Sequence, residues 1–88
     1  LGKYGIRVNA IMPGFTSTPH YYNWLASRPG DNLEDEIKSL HATGQVTTPE
    51  DVGRLALFLA SDDSKNMTGA ELALDGGMLA RLYNSKLV

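Results

Sequence analysis

The sequence predicts an α/β fold built on two parallel strands joined through helices. Three observations carry that prediction. Ile6-Arg7-Val8-Asn9-Ala10-Ile11-Met12 is rich in β-branched residues and is closed by Pro13-Gly14. Thr48-Pro49-Glu50-Asp51-Val52 opens an amphipathic helix. Ala70-Glu71-Leu72-Ala73-Leu74 forms a second strand, ended by Asp75-Gly76-Gly77. A strand–helix–strand order of this kind makes a right-handed parallel crossover.

In the first strand Ile6, Val8, Ala10 and Met12 share one face, which is wholly apolar. Arg7, Asn9 and Ile11 share the other. Pro13 closes the strand because it cannot donate to the ladder, and Gly14 lets the backbone turn where a side chain would obstruct it. The segment from about 15 to 47 is expected to be a largely irregular cover. Pro19, Pro29 and Gly30 break its first half, around the cluster His20-Tyr21-Tyr22-Asn23-Trp24. A short helix follows from about Leu33, with Asn32 as its cap and Glu34, Asp35 and Glu36 at the positive end of its dipole. Leu33, Ile37 and Leu40 form its apolar stripe, and Ala42-Thr43-Gly44 ends it.

Thr48 is a good N-cap, Pro49 suits the first helical position, and two acids complete the first turn. Val52, Leu55, Ala56 and Leu59 recur at helical spacing, and Leu57, Phe58 and Ala60 widen the stripe. Such a helix rests on a sheet and meets a second partner. Gly53 costs the helix about 1 kcal/mol relative to Ala, for which close approach to a neighbouring backbone would compensate. Ser61-Asp62-Asp63-Ser64 ends the helix, and Met67-Thr68-Gly69 leads into the second strand.

Composition narrows the function classes. With 42% hydrophobic residues and a net charge of −2, the 88-residue chain is globular rather than disordered. Eight basic against ten acidic side chains leave no electrostatic footprint for nucleic acid or an anionic membrane. No apolar run approaches the roughly 20 residues of a membrane span, and the first residues lack the pattern of a secretory signal. The absence of cysteine excludes a disulfide framework and a thiolate metal site, in keeping with a cytoplasmic location. Two parallel strands with apolar residues on both faces need cover on both sides and neighbours at their edges. Two helices and a short tail supply too little. The expectation is an incomplete sheet, part of something longer, and the chain starts at Leu with its first apolar pattern following at once.

The order and spacing of five motifs resemble the short-chain dehydrogenase/reductase family. They are Tyr4-Gly5-Ile6-Arg7-Val8-Asn9 running into Pro13-Gly14, Pro49-Glu50-Asp51-Val52, Phe58-Leu59-Ala60-Ser61, Thr68-Gly69 and Asp75-Gly76-Gly77. The resemblance covers nearly all of residues 2–77. It implies the C-terminal portion of one doubly wound Rossmann-type domain, with the two strands here being its last two parallel strands. It implies an NAD- or NADP-dependent oxidoreductase acting on an alcohol or ketone, and a homo-oligomer, tetramer or dimer. The family's glycine-rich phosphate loop and its Ser and Tyr-x-x-x-Lys catalytic set have no counterpart in residues 1–88, so this segment alone is expected to be inactive. Gln45 stands where many relatives have Arg before the Pro-Glu-Asp motif.

Pro13, Gly14, Thr16 and Thr18 match the family's segment that meets the nicotinamide half of the cofactor. A loop at the carboxyl end of a parallel strand faces the crevice where dinucleotides lie. Gly14 would allow close approach, backbone groups near Thr16 could bond a carboxamide, and the Thr18 hydroxyl could donate to carboxamide or phosphate. Pro-Gly ending a strand and Thr18 capping the next turn is the plainer alternative. His20, Tyr21, Tyr22 and Trp24 fall where the family places a mobile substrate-covering segment. They would either line a pocket or pack as an ordinary loop or subunit contact. His20 and His41 have no second ligand at a metal-binding spacing. Asn9 and Asp75 read as structural, a strand-end polar group and a turn former. A non-catalytic binding or assembly module with the same fold, and a small free-standing scaffold, are the competing readings.

Overall fold

The structure, a computed structural model, describes residues 1–28, 30 and 32–80. Strands β1 (Ala10–Pro13) and β2 (Glu71–Leu74) pair in parallel, with Ala10 opposite Glu71 and Pro13 opposite Leu74. Helices α1 (Pro19–Ala26), α2 (Leu33–Ser39) and α3 (Pro49–Ala60) lie between them in the chain. A 3₁₀ turn at Gly2–Tyr4 precedes β1, and another at Asp62–Ser64 follows α3.

β1 is shorter than the β-branched run implies. Upstream of Ala10 one backbone bond remains, from the Gly69 N–H to Val8 O at 2.7 Å, and side chains make the others. Asn9 accepts the Ala70 N–H on Oδ1 and donates Nδ2 to the Met67 carbonyl, each at 3.0 Å, and Thr68 Oγ1 accepts the Val8 N–H. This is the strand-end role expected of Asn9. Residues 6–9 therefore run beside β2's approach without forming regular strand.

The irregular reading of the 15–47 segment is corrected at two places. Residues 19–26 form α1, because Thr18-Pro19 repeats the start signal of Thr48-Pro49. Thr18 sits at the N-cap with extended backbone, its hydroxyl accepts the Tyr21 N–H at 3.2 Å, and Pro19 takes the first turn. Tyr21, Trp24 and Leu25 then form the buried and half-buried side of the helix. Pro29, the other expected breaker, lies outside the described residues. At α2 Asn32 stands at the expected N-cap position, its carbonyl accepting the Glu36 N–H at 2.8 Å, but without a side-chain cap. It adopts a left-handed conformation with φ 70°. The helix stops at Ser39, before Ala42, because its last turn tightens: the Leu40 and His41 amides bond Ile37 and Lys38.

α3 forms where its cap signal places it. Thr48 Oγ1 accepts the Asp51 N–H at 3.1 Å and Asp51 Oδ2 accepts the Thr48 N–H at 2.9 Å, a reciprocal capping box. The backbone bond from Thr48, followed by its hydroxyl, holds the Asp51 carboxyl below the usual carboxylate range. Val52, Leu55 and Leu59 are half-buried, whereas Leu57 is 70% exposed. A Cβ added to Gly53 would meet nothing within 4 Å, so among the described residues the expected close approach is not there.

Of the two faces of the β1 run, the one bearing Arg7, Asn9 and Ile11 meets α3. The Arg7 guanidinium donates to Leu59 O at 2.8 Å, to Met67 O at 3.1 Å and to Ser64 Oγ at 3.3 Å, tying the end of α3 to the sheet. Ile6, Val8 and Met12, on the opposite face, are exposed. Among the described residues the buried apolar side chains are Tyr21 of α1 and Ile37 of α2, and none lies on the sheet. The radius of gyration is 16.2 Å, against about 12 Å for a compact domain of this length.

Candidate functional site

The site grows from the carboxyl end of β1. The Gly14 N–H bonds the Leu74 carbonyl at 3.1 Å, which carries the pairing one residue beyond Pro13. A Cβ on Gly14 would lie 2.8 Å from Asp75 Cβ and 3.2 Å from Asp75 Cα, so glycine is required here by packing against the opposite turn. That turn is built by its own residues. The Asp75 carboxylate is buried and accepts the N–H groups of Gly77 at 2.9 Å and Leu79 at 3.2 Å. Gly76 and Gly77 both have positive φ, and a Cβ on either would come within 3 Å of Thr43 or Ala42.

Beyond Gly14 the chain leaves on the α1–α2 excursion and returns at Thr47. The excursion's two ends are stitched together. The Thr47 N–H bonds Phe15 O at 2.9 Å, the Ser17 N–H bonds Thr47 O at 2.8 Å, and Thr47 Oγ1 donates to Leu74 O at 2.9 Å. The Thr43 N–H also bonds Gly76 O. A sheet edge and the Asp75 turn thus hold both ends of the helical cover.

Beside this stem lies a cavity of about 350 Å³. Its floor comes from Gly14, Thr16 and Thr18, and its wall from Phe15, Tyr21 and Trp24, with His20 exposed at the rim. The rings form one cluster. Phe15 is 6.3 Å from Tyr21, edge-on, and 6.2 Å from Trp24, stacked; Tyr21 and Trp24 are 6.4 Å apart. Arg28 lies over the Trp24 ring at 5.2 Å.

The structure brings most of the predicted site residues together. Gly14, Thr16, Thr18, His20, Tyr21 and Trp24 share the cavity, and Pro13 sits just behind it as the last residue of β1. Tyr22 does not join them. It is 51% exposed and packs edge-on against Tyr21 at 5.3 Å. Thr16 Oγ1 donates to Gly14 O at 3.1 Å, while its amide stays out of the two stem bonds. Thr18 is the helix cap, and because its oxygen acts there as an acceptor, its O–H proton is left for donation.

Two contributors were not legible beforehand. Phe15 is the ring on which Tyr21, Trp24 and His41 converge, and its only sequence signal is an apolar residue between Gly14 and Thr16. His41 is 2% exposed; its Nδ1–H donates to Ile37 O at 2.8 Å, and Nε2 has no partner among the described residues. The Tyr21 hydroxyl is likewise buried and unpartnered, and burial, with Glu34 and Tyr22 nearby, pushes its pKa up. Among the described residues no cluster of three His, Asp or Glu side chains is arranged to hold a metal, and no helix is long and apolar enough to cross a membrane.

Parallel strands with a Pro-Gly-x-x-x-Thr loop at the carboxyl end of the first and helices in the connection between them define the closing part of a Rossmann-type α/β sheet. Comparison with known proteins agrees. A family model described as enoyl-(acyl carrier protein) reductase matches residues 1–79. The (3R)-3-hydroxyacyl-CoA dehydrogenase of Mus musculus is 36% identical over 78 residues, covering 89% of this chain and 28% of its own. The 3-oxoacyl-[acyl-carrier-protein] reductase of Chlamydia trachomatis is 42% identical, covering 89% and 29%. Among solved structures, a short-chain dehydrogenase/reductase family oxidoreductase from Burkholderia thailandensis superposes with a TM-score of 0.78 at 35% identity, covering 91% of this chain and 30% of its own. An NADPH-dependent reductase of bacilysin biosynthesis gives 0.80 at 29% identity, covering 91% and 32%. A 4-hydroxyisoleucine dehydrogenase complexed with NADH gives 0.75 at 31%, covering 92% and 32%. The chain belongs to the short-chain dehydrogenase/reductase family. It spans less than a third of the length of the curated relatives named here.

Proposed function

We propose that residues 1–88 are the C-terminal portion of a Rossmann-type NAD(P)-dependent oxidoreductase that interconverts an alcohol and a ketone. The observation that carries this is the cavity itself, which puts the Gly14–Thr18 loop and an aromatic wall together at the carboxyl end of β1. The residues fit a nicotinamide. Thr18 offers a hydroxyl proton and the loop backbone around Thr16 offers amide groups, while the apolar rings beside them are left to face the substrate. When bound, the reduced cofactor supplies the hydride that reduces a carbonyl carbon. The chain's own residues orient and shelter: the loop fixes the carboxamide, and Phe15, Tyr21 and Trp24 exclude water from the reacting carbon.

The proton donor for the carbonyl oxygen belongs to the catalytic set, which residues 1–88 do not contain, so this segment alone is inactive. The exposed apolar side chains Leu57 and Leu79 support a subunit contact in a homo-oligomer. The test is to assay the full-length chain for ketone-dependent oxidation of NADH and NADPH, alongside the 88-residue segment. Turnover by the full chain with either cofactor, and none by the segment, is expected. A full chain that neither binds nor oxidises either cofactor would overturn the reading.

A further inference from the structure

The chemistry of the cavity wall restricts the substrate further, an inference that rests on the oxidoreductase reading. Among the described residues no lysine, arginine or carboxylate lines the cavity. Arg28, just beyond the end of α1, is held over the Trp24 ring and lines a separate cavity shared with Glu34 and Asp35. The polar groups of the floor are neutral: Thr16 Oγ1 donates to Gly14 O, and Thr18 Oγ1 accepts the Tyr21 N–H, its own proton being the one assigned to the cofactor. The start of α1 is also largely satisfied. Pro19 has no N–H, and the Tyr21 and Tyr22 amides both bond Thr18. His20 is exposed at the rim, where water solvates it.

A carboxylate or phosphate brought against the three rings would give up part of its hydration with no cation among the lining residues to replace it, which is unfavourable. A ring loses nothing comparable and gains contact with three aromatic side chains. The volume, about 350 Å³, lies near the lower end of the roughly 300–1,000 Å³ found for small-molecule sites. We infer that the substrate is an uncharged alcohol or ketone with a compact ring next to the reacting carbon, and that Phe15, Tyr21 and Trp24 select against an adjacent anionic group.

Acetophenone and phenylglyoxylate test this directly, because they share a ring and a reacting carbonyl and differ in an adjacent carboxylate. Calorimetry on the full-length chain with cofactor bound is expected to give at least about 100-fold tighter binding of acetophenone. Steady-state kcat/KM should show the same order. Trp24→Phe keeps an aromatic wall and should keep the preference; Trp24→Arg supplies the missing cation and should shift it at least about tenfold toward phenylglyoxylate. Equal binding of the two ligands, a preference for phenylglyoxylate, or a preference unmoved by Trp24→Arg would overturn the inference. Binding that follows the predicted order without turnover of any ketone would support the cavity's selectivity and overturn only the oxidoreductase reading.

Discussion

Gly14 and Asp75 meet at the carboxyl end of the sheet so closely that any side chain on Gly14 would strike the Asp75 β-carbon, 2.8 Å away. The contact joins the loop that floors the cavity to the turn that anchors the returning cover. Gly14→Ala in the full-length chain is therefore expected to destabilise by about 1–3 kcal/mol, the usual cost of overpacking. Gly53→Ala is the contrast, since its Cβ would enter open space in mid-helix. It should stabilise by about 0.5–1 kcal/mol. Denaturant melts of both variants check the pair. A destabilising Gly53→Ala would mean that another element covers that turn of α3.

Residues 1–88 made alone should be poorly folded or aggregated. Ile6, Val8 and Met12 leave one side of the β1 run exposed, and only Tyr21 and Ile37 are buried as apolar core among the described residues. Exposed strand edges and apolar faces promote association. Analytical ultracentrifugation with a thermal melt decides it. A monomeric mass and a cooperative transition would contradict the expectation.

Much of this architecture was legible because it rests on local chemistry. Thr48-Pro49-Glu50-Asp51 states its helix start in four residues, and Thr48 caps the helix as expected, with Asp51 adding the reciprocal bond of a capping box. Thr18-Pro19 carries the same start, but an aromatic cluster with no polar–apolar alternation hid the stripe of Tyr21, Trp24 and Leu25. The non-local features were not readable. Asn9 replaces ladder bonds with its own amide because of where Met67 and Ala70 lie, and the requirement for glycine at 14 is set by Asp75. The burial of His41 likewise depends on Phe15, brought beside it by the stem at Thr47.

Thr18 has a capping role in the structure and a cofactor role in the proposal, and two substitutions separate them. Thr18→Val removes the cap and should lower stability by about 1 kcal/mol. It should also weaken NAD(P)H binding by roughly 3- to 100-fold, the range for one lost hydrogen bond. Thr18→Asp keeps a good cap but replaces the donor with a negative charge. It should hold stability near that of the parent while losing at least as much cofactor affinity as Thr18→Val. Calorimetric titration with melts on the same samples checks this, and a Thr18→Asp variant that binds cofactor normally would leave Thr18 a cap and nothing more.

Acid should loosen α3 through Asp51. Its carboxyl titrates below the usual carboxylate range in the folded chain because Thr48 donates to it. A group with a lowered folded value stabilises fully above its unfolded pKa of about 3.9, and loses that contribution as pH falls through the lower folded one. Asp51→Asn should be less stable at neutral pH and lose less on acidification below about pH 4. Stability curves for parent and variant that stay parallel across that window would contradict the assignment.

The central claim is that the loop after β1 holds the nicotinamide end of a bound cofactor. Amide hydrogen exchange on the full-length chain, with and without NADH or NADPH, tests it without any substitution. Slower exchange on cofactor binding is expected at the amides of residues 14–18 and at the start of α1, with little change at the exposed outer turns of α3. Cofactor binding that leaves residues 14–21 exchanging at the same rate, while protecting other parts of the chain, would contradict the account.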